Sequence, residues 1–197
     1  YLASLQPVGQ PPSTDFALLQ QEALRILHGH DGVAHPFQHV IVDEYQDTNT
    51  IQERIFFRLA ASTRNLCVVG DDDQALYRFR GATVENFVQF PQRCAAAFGA
   101  EPRTIPLDTN YRSRRRIVDF YTRFVAQCDW RNPRGGHFRV TGKRIKAASP
   151  DDGVAVVAST PAEPDQVAGE IAQLVKRLLN TEKVENPNQI AFLFPSL

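Results

Sequence analysis

The sequence has no methionine, one tryptophan and three cysteines, and its 22 basic and 22 acidic residues leave a formal net charge of zero. Each scarcity excludes something. Without a charge excess, no global field draws the chain to nucleic acid or to an anionic membrane. Cys67, Cys94 and Cys128 are odd in number and have no CxxC spacing, so they read as reduced thiols of a cytoplasmic protein, with Cys67 buried in a strand. No apolar run approaches the roughly 20 residues of a membrane span, and no basic segment leads into an apolar one as in a signal peptide. A GxxxxGK[ST] phosphate loop is also missing. Gly142-Lys143 is the nearest approach, but Arg144 follows where Ser or Thr is needed, and His137 stands where the first glycine belongs. A chain that begins on Tyr1 and lacks methionine is expected to be an excised piece of a longer product.

What remains is an ordinary core-forming composition. The 197 residues are 43% hydrophobic and 22% charged, enough for one large domain or two small ones. Phe16, Leu19, Ala23, Ile26 and Leu27 recur at helical spacing over 15–27, behind the capping candidates Ser13, Thr14 and Asp15. Val40 to Val42 and LCVVG at 66–70 read as short strands buried on both faces, with a helix over 48–61 between them. A short helix is expected over 83–90, a strand at RTIPLD (103–108) and a long helix over 113–128. GVAVVAS (153–159) and QIAFLF (189–194) complete the strands. The helix between them is introduced by Thr160-Pro161-Ala162-Glu163, a capping box with proline at its first position. Strands alternating with helices argue an α/β fold, a parallel sheet with helices on both faces. From 130 to 150 there is no acid, and Arg131, Arg134, Arg139, Lys143, Arg144 and Lys146 make a basic loop that reads first as solvated. His28, His30, His35 and His39 match no familiar zinc spacing.

Both early strands run into carboxylates: VIVDEYQDTNT carries Asp43-Glu44, and LCVVGDDDQ carries Asp71, Asp72 and Asp73 before Gln74. Adjacent carboxylates repel, and desolvating them is costly. A solvated strand end is the plain reading. If the two strands are neighbours, however, a carboxylate cluster and an amide meet at the C-terminal edge of a parallel sheet, where ligands bind. Such a cluster supplies an acid for a magnesium shell, a base for water and a polar sensor for a phosphate.

DEYQDTN, VVGDDDQALYRFRGA and LDTNYRS, in this order, resemble the Walker B motif, motif III and motif IV of the UvrD/Rep/PcrA-like superfamily 1 DNA helicases, and the flanking DFALLQQEAL, DDGVAVVAS and QIAFLF follow that layout. The resemblance implies parts of two tandem RecA-like motor domains of a P-loop NTPase. Residues 1–106 would be the C-terminal part of the first, with 1–12 the remnant of an inserted domain. Residues 107–197 would be the N-terminal part of the second, with a basic loop at 129–150. It also implies ATP and Mg2+ as cofactors. Asp43 would hold magnesium through its water shell and Glu44 would be the general base. Gln74 would contact the γ-phosphate, Tyr111 would stack on adenine, and Arg112 would stabilise charge on the γ-phosphate. Tyr77, Phe79 and Arg80 would face single-stranded DNA, Phe79 standing where the family commonly has tryptophan. The partners implied are single-stranded and duplex DNA, together with repair or recombination proteins, and no membrane.

On this reading the chain alone, lacking the phosphate loop, is expected to be inactive. An alternative is a helicase-like nucleic-acid or protein binding module without motor activity. The two part on whether a GxxxxGK[ST] loop lies upstream in the same reading frame. A metal-dependent nuclease built on the acids is disfavoured, because it leaves Gln74, Tyr111 and Arg112 without a role.

Overall fold

β1 (Val40–Val42) and β2 (Leu66–Val68) lie side by side and parallel, with Val40 opposite Leu66, Ile41 opposite Cys67 and Val42 opposite Val68. They belong to a computed structural model that describes residues 14–29, 37–133, 135–151, 153–158 and 163–193. Between them runs α2 (Thr50–Leu59), preceded by α1 (Phe16–Gly29). After β2 come α3 (Val84–Val88) and α4 (Phe90–Phe98). A second parallel pair, β3 (Thr109–Asn110) and β4 (Lys146–Ala147), is bridged by α5 (Arg115–Ala126), and α6 (Pro164–Asn180) follows. The fold is therefore mixed α/β with two small parallel sheets, each closed by a helical crossover as parallel pairing requires.

Local chemistry sets these boundaries. Asp15 caps α1 by accepting the Leu18 amide at 2.8 Å. Asn49 caps α2 in a capping box: its side chain accepts the Ile51 and Gln52 amides, and the Gln52 side chain accepts the Asn49 amide at 2.9 Å. The helix thus starts two residues later than the periodicity suggested. α1 is fastened across α2 by Asn49 Nδ2 donating to Gln20 Oε1 (2.8 Å) and by Arg58 Nε donating to the Leu27 carbonyl (2.8 Å).

The core gathers under one face of the β1–β2 sheet. Val42, Tyr45, Phe90 and Cys94 are buried, with Val40, Phe56, Phe57, Leu66, Val68, Phe87 and Phe98 packed against them. The rings of Tyr45 and Phe90 meet edge-on at 5.2 Å. The opposite face is open among the described residues. Ile41 is 73% exposed and its partner Cys67 is exposed too, contrary to the expectation of strands buried on both faces. Apolar residues at every strand position make both faces suitable for burial, but a face is buried only where a second layer packs on it.

Three expected strands are absent among the described residues. Residues 103–108 belong to no strand, although the Asp108 carbonyl accepts the Lys146 amide, and pairing begins at Thr109, while 153–158 and 190–193 form no ladder. Their apolar residues stand in solvent, Leu193 at 94% exposure. α6 begins at Pro164, a proline at the first helical turn, with Glu163 as a cap that makes no side-chain hydrogen bond. The expected box residues Thr160, Pro161 and Ala162 lie outside the described residues, as do His30, His35, Arg134 and the expected remnant at 1–12. No helix among the described residues is long and apolar enough to cross a membrane.

Candidate functional site

Parallel pairing puts the tips of β1 and β2 at one edge, so the acids that follow each strand are neighbours. The bridge between them is Gln46, only 1% exposed. Its Nε2 donates to Glu44 Oε2 at 2.6 Å, and its Oε1 accepts the Asp71 amide at 3.0 Å. Gly70 makes this approach possible: a Cβ there would lie 2.6 Å from Gln46 Oε1 and 2.9 Å from Phe87 Cε2. Gln46 was not among the residues singled out from sequence. Its place inside DEYQD was visible, but nothing local told it apart as the amide joining the two strands.

Glu44 and Asp43 are both exposed at the end of β1. Glu44 has φ 51° and ψ 42°, the left-handed region that non-glycine residues seldom occupy, at about 1–2 kcal/mol. Its amide donates to Asp43 Oδ1 at 2.9 Å. Asp47 lies in the turn that follows. Its Oδ1 is buried without a hydrogen-bond partner, and burial, with the neighbouring charge of Glu44 second, raises its carboxyl above the ordinary range. On the second strand, Asp71 opens a short turn over Asp72–Gln74, accepting the Asp73 amide at 3.1 Å, while Gln74 Nε2 donates to Asp71 Oδ2 at 2.8 Å. Gln74 is thus tied to the same aspartate whose amide Gln46 holds.

Tyr77, Phe79 and Arg80 come together on the next turn. The two rings lie 6.1 Å apart, and the Arg80 guanidinium sits 5.1 Å from the Tyr77 centroid and 5.4 Å from that of Phe79. Phe79 is 77% exposed, so it is a surface ring and not a core one. Tyr111 (83% exposed) and Arg112 follow β3, where the Asn110 side chain accepts the Arg112 and Ser113 amides at 3.0 and 2.8 Å. Among the described residues, no hydrogen bond or ion pair joins Arg112 to Glu44 or Gln74. The structure brings together Asp43, Glu44 and Gln74, and separately Tyr77, Phe79 and Arg80, while Tyr111 and Arg112 stand on another element.

The basic loop differs most from the plain expectation of a solvated segment. Arg139 forks onto Asp73, Nε to Oδ1 at 2.6 Å and Nη2 to Oδ2 at 3.0 Å. The Val140 amide donates to Asp72 Oδ2 at 2.7 Å. Lys143 Nζ contacts all three acids: Asp71, Asp72 at 2.8 Å and Asp73 at 3.0 Å. Burial alone would raise Asp71 and Asp73, but the hydrogen bonds from Lys143 and Gln74 on the first, and from Arg139 and Lys143 on the second, hold both below the ordinary carboxylate range. Burial works against the Lys143 ammonium, and its three aspartate partners more than offset it. Nearby, Arg78 lies 5.0 Å over the Phe138 ring, beside a cavity of about 240 Å³ lined by Gln46, Asp72, Trp130 and Phe138 among others.

Among the described residues no group of three or more His, Cys, Asp or Glu is arranged to hold a metal ion. Asp71, Asp72 and Asp73 are occupied by cations of the chain itself. Asp43 remains an exposed oxygen donor at the strand tip, and Asp47 Oδ1 is buried without a hydrogen-bond partner. An exposed carboxylate of this kind can bind a hydrated magnesium ion, which keeps most of its waters and takes one or two carboxylates.

Residues 7–95 match the family described as the UvrD/REP helicase N-terminal domain. The ATP-dependent DNA helicase PcrA of Staphylococcus epidermidis is 40% identical over 99 residues, a segment covering 50% of this chain and 13% of that protein. PcrA of Staphylococcus aureus matches with the same identity and coverage. The matched segment spans 13% of either relative's length, and the family match ends at residue 95, within α4. Over its first half the chain is similar to the UvrD/REP helicase N-terminal domain.

Proposed function

We propose that this chain is part of an ATP-dependent motor that moves along single-stranded DNA and unwinds duplex DNA, built from portions of two RecA-like domains, residues 1–106 and 107–197. The observation that carries the reading is the meeting of the β1 and β2 tips, where Gln46 binds Glu44 to the backbone of Asp71 and Asp71 binds Gln74. A base for water and an amide able to follow a γ-phosphate then share one hydrogen-bonded unit. The helicase similarity of this half of the chain supports the same assignment.

In this reading Asp43 would hold magnesium through its water shell, and the bound ion would offset charge on the phosphates. Glu44 takes the proton of the attacking water, its exposed carboxylate being held on one oxygen by Gln46. Tyr111 stacks on adenine and Arg112 meets charge on the γ-phosphate when the two halves close on a nucleotide. Tyr77 and Phe79, with Arg80 against both rings, offer a stacking surface for bases, worth roughly 1–3 kcal/mol per base and indifferent to sequence. The 197 residues hold no GxxxxGK[ST] loop, so phosphate positioning must come from elsewhere in the complete protein.

The test is hydrolysis in the complete reading frame that contains this segment. Glu44→Gln should leave ATP binding nearly intact and lower DNA-stimulated turnover by about 10²- to 10⁴-fold, since the amide keeps the shape but accepts no proton. Equal loss of binding and turnover would make Glu44 structural. A wild-type protein that binds single strands but never hydrolyses ATP would favour the binding module.

A further inference from the structure

We propose that Arg139 and Lys143 are positioning residues, forming a strut that holds Gln74 in place and joins it mechanically to the strand that carries Tyr111 and Arg112. The functional half of this proposal rests on the ATP-hydrolysing reading above.

Three consecutive aspartates on one tight turn repel one another, and the Asp72 side chain is only 2% exposed. Such a turn holds its shape only if cations are brought to it. Arg139 and Lys143 are those cations, and they come from a segment about 70 residues downstream. Between them and the Val140 amide, every carboxylate oxygen of Asp72 and Asp73 has a donor. On Asp71 the two oxygens are divided: Lys143 takes Oδ1 and Gln74 takes Oδ2. Removing Lys143 leaves that carboxylate short of a cation and its neighbours in mutual repulsion. The first side chain to lose a fixed partner is then Gln74.

The other end of the strut is equally defined. Lys143 lies three residues before β4, whose partner β3 leads directly into Tyr111 and Arg112. The Lys146 amide donates to the Asp108 carbonyl at 2.8 Å, and the Ala148 amide to the Asn110 carbonyl at 2.9 Å. A short path of ion pairs and strand hydrogen bonds thus runs from Gln74 through Asp71 and Lys143 to β4, then β3, then Arg112. The loop is itself braced at its base, with Trp130 Nε1 donating to the Val125 carbonyl at 2.7 Å and the Phe138 amide to the Trp130 carbonyl at 2.8 Å. On this proposal a displacement of β3 reaches the Asp71–Gln74 turn through β4 and Lys143.

Two measurements test this. In the 197-residue chain, the side-chain amide resonances of Gln74 should move towards free-glutamine positions in Lys143→Ala and stay near wild type in Lys143→Arg. Lys143→Gln, which keeps most of the stem, serves if the alanine variant does not fold. In the complete protein, Lys143→Ala should lower DNA-stimulated kcat by about 10- to 100-fold, the scale of a small misplacement in a site, with KM for ATP little changed and Lys143→Arg restoring most of the loss. Lys143→Ala added to Gln74→Ala should cost nothing further, because it acts through that residue. Gln74 resonances indifferent to Lys143→Ala, or losses that multiply in the double variant, would overturn the strut. A wild-type protein without ATPase activity would refute the functional reading alone, and the resonance measurement would still decide whether the strut exists.

Discussion

The hydroxyl of Tyr45 donates to Glu53 Oε1 at 3.1 Å in the middle of the core, and Arg93 Nη1 donates to the other oxygen of that carboxylate at 2.6 Å. A turn residue, a residue of α2 and a residue of α4 are thereby fixed at one point. Burial raises Glu53 above its ordinary range despite the Arg93 charge, so the carboxylate depends on both donors.

Tyr45→Phe removes one of them while keeping the ring. It should destabilise the chain by about 1–3 kcal/mol, the cost of an unsatisfied buried acceptor. Urea unfolding of the 197-residue chain measures it. A change of only a few tenths of a kcal/mol would mean that water reaches Glu53.

Gly70→Ala should cost about 1–3 kcal/mol, because overpacking forces Gln46 and Phe87 aside. Shortening Gln46 to alanine in the same chain should recover part of this and not all, since the contact with Phe87 remains. Full recovery, or no initial loss, would show that the strand tip has room that the distances deny.

The three thiols should divide by accessibility. Burial, with the Glu53 charge second, pushes the Cys94 thiol up to about 11, whereas Cys67 and Cys128 are exposed. A chromogenic disulfide reagent at neutral pH should titrate two thiols quickly in the 197-residue chain and the third only after denaturation. A single fast thiol would mean that the second face of the β1–β2 sheet is covered after all.

The ion cluster sets a dependence on pH at both ends. Asp71 and Asp73 lie below their ordinary value of 3.8 in the folded chain, so their contribution is present above it and is lost as pH falls through the folded values. Lys143 lies above 10.5, so its contribution is present below that and is lost as pH rises through its folded value. Glu53, raised above 4.5, acts in the opposite sense to the two aspartates and blunts the acid limb. Thermal melts across the acid range should therefore lose stability less steeply in Asp71→Asn with Asp73→Asn than in the parent. Equal slopes would exclude the cluster as the cause.

The sequence made some of this legible and hid the rest for identifiable reasons. β1, β2 and the helix between them announced themselves through short apolar runs and helical periodicity, and their acids could be placed at strand ends. Whether a strand face is covered is not a local property, which is why Cys67 was expected inside and stands outside. The segments at 153–158 and 190–193 have strand composition, but a strand exists only in a ladder, and composition does not name a partner. Arg139 and Lys143 were seen as charge without acids beside them. Their acids lie about 70 residues away, beyond any periodicity or spacing that a linear reading can use.

The left-handed backbone at Glu44 bears on the history of the chain. A glycine there would relieve the strain, and an asparagine would tolerate it better, each by a single substitution that leaves the strand intact. In a lineage with no use for a carboxylate at the strand tip, drift at this position would run towards glycine or asparagine, so either residue at position 44 would mark a tip shaped by the backbone alone.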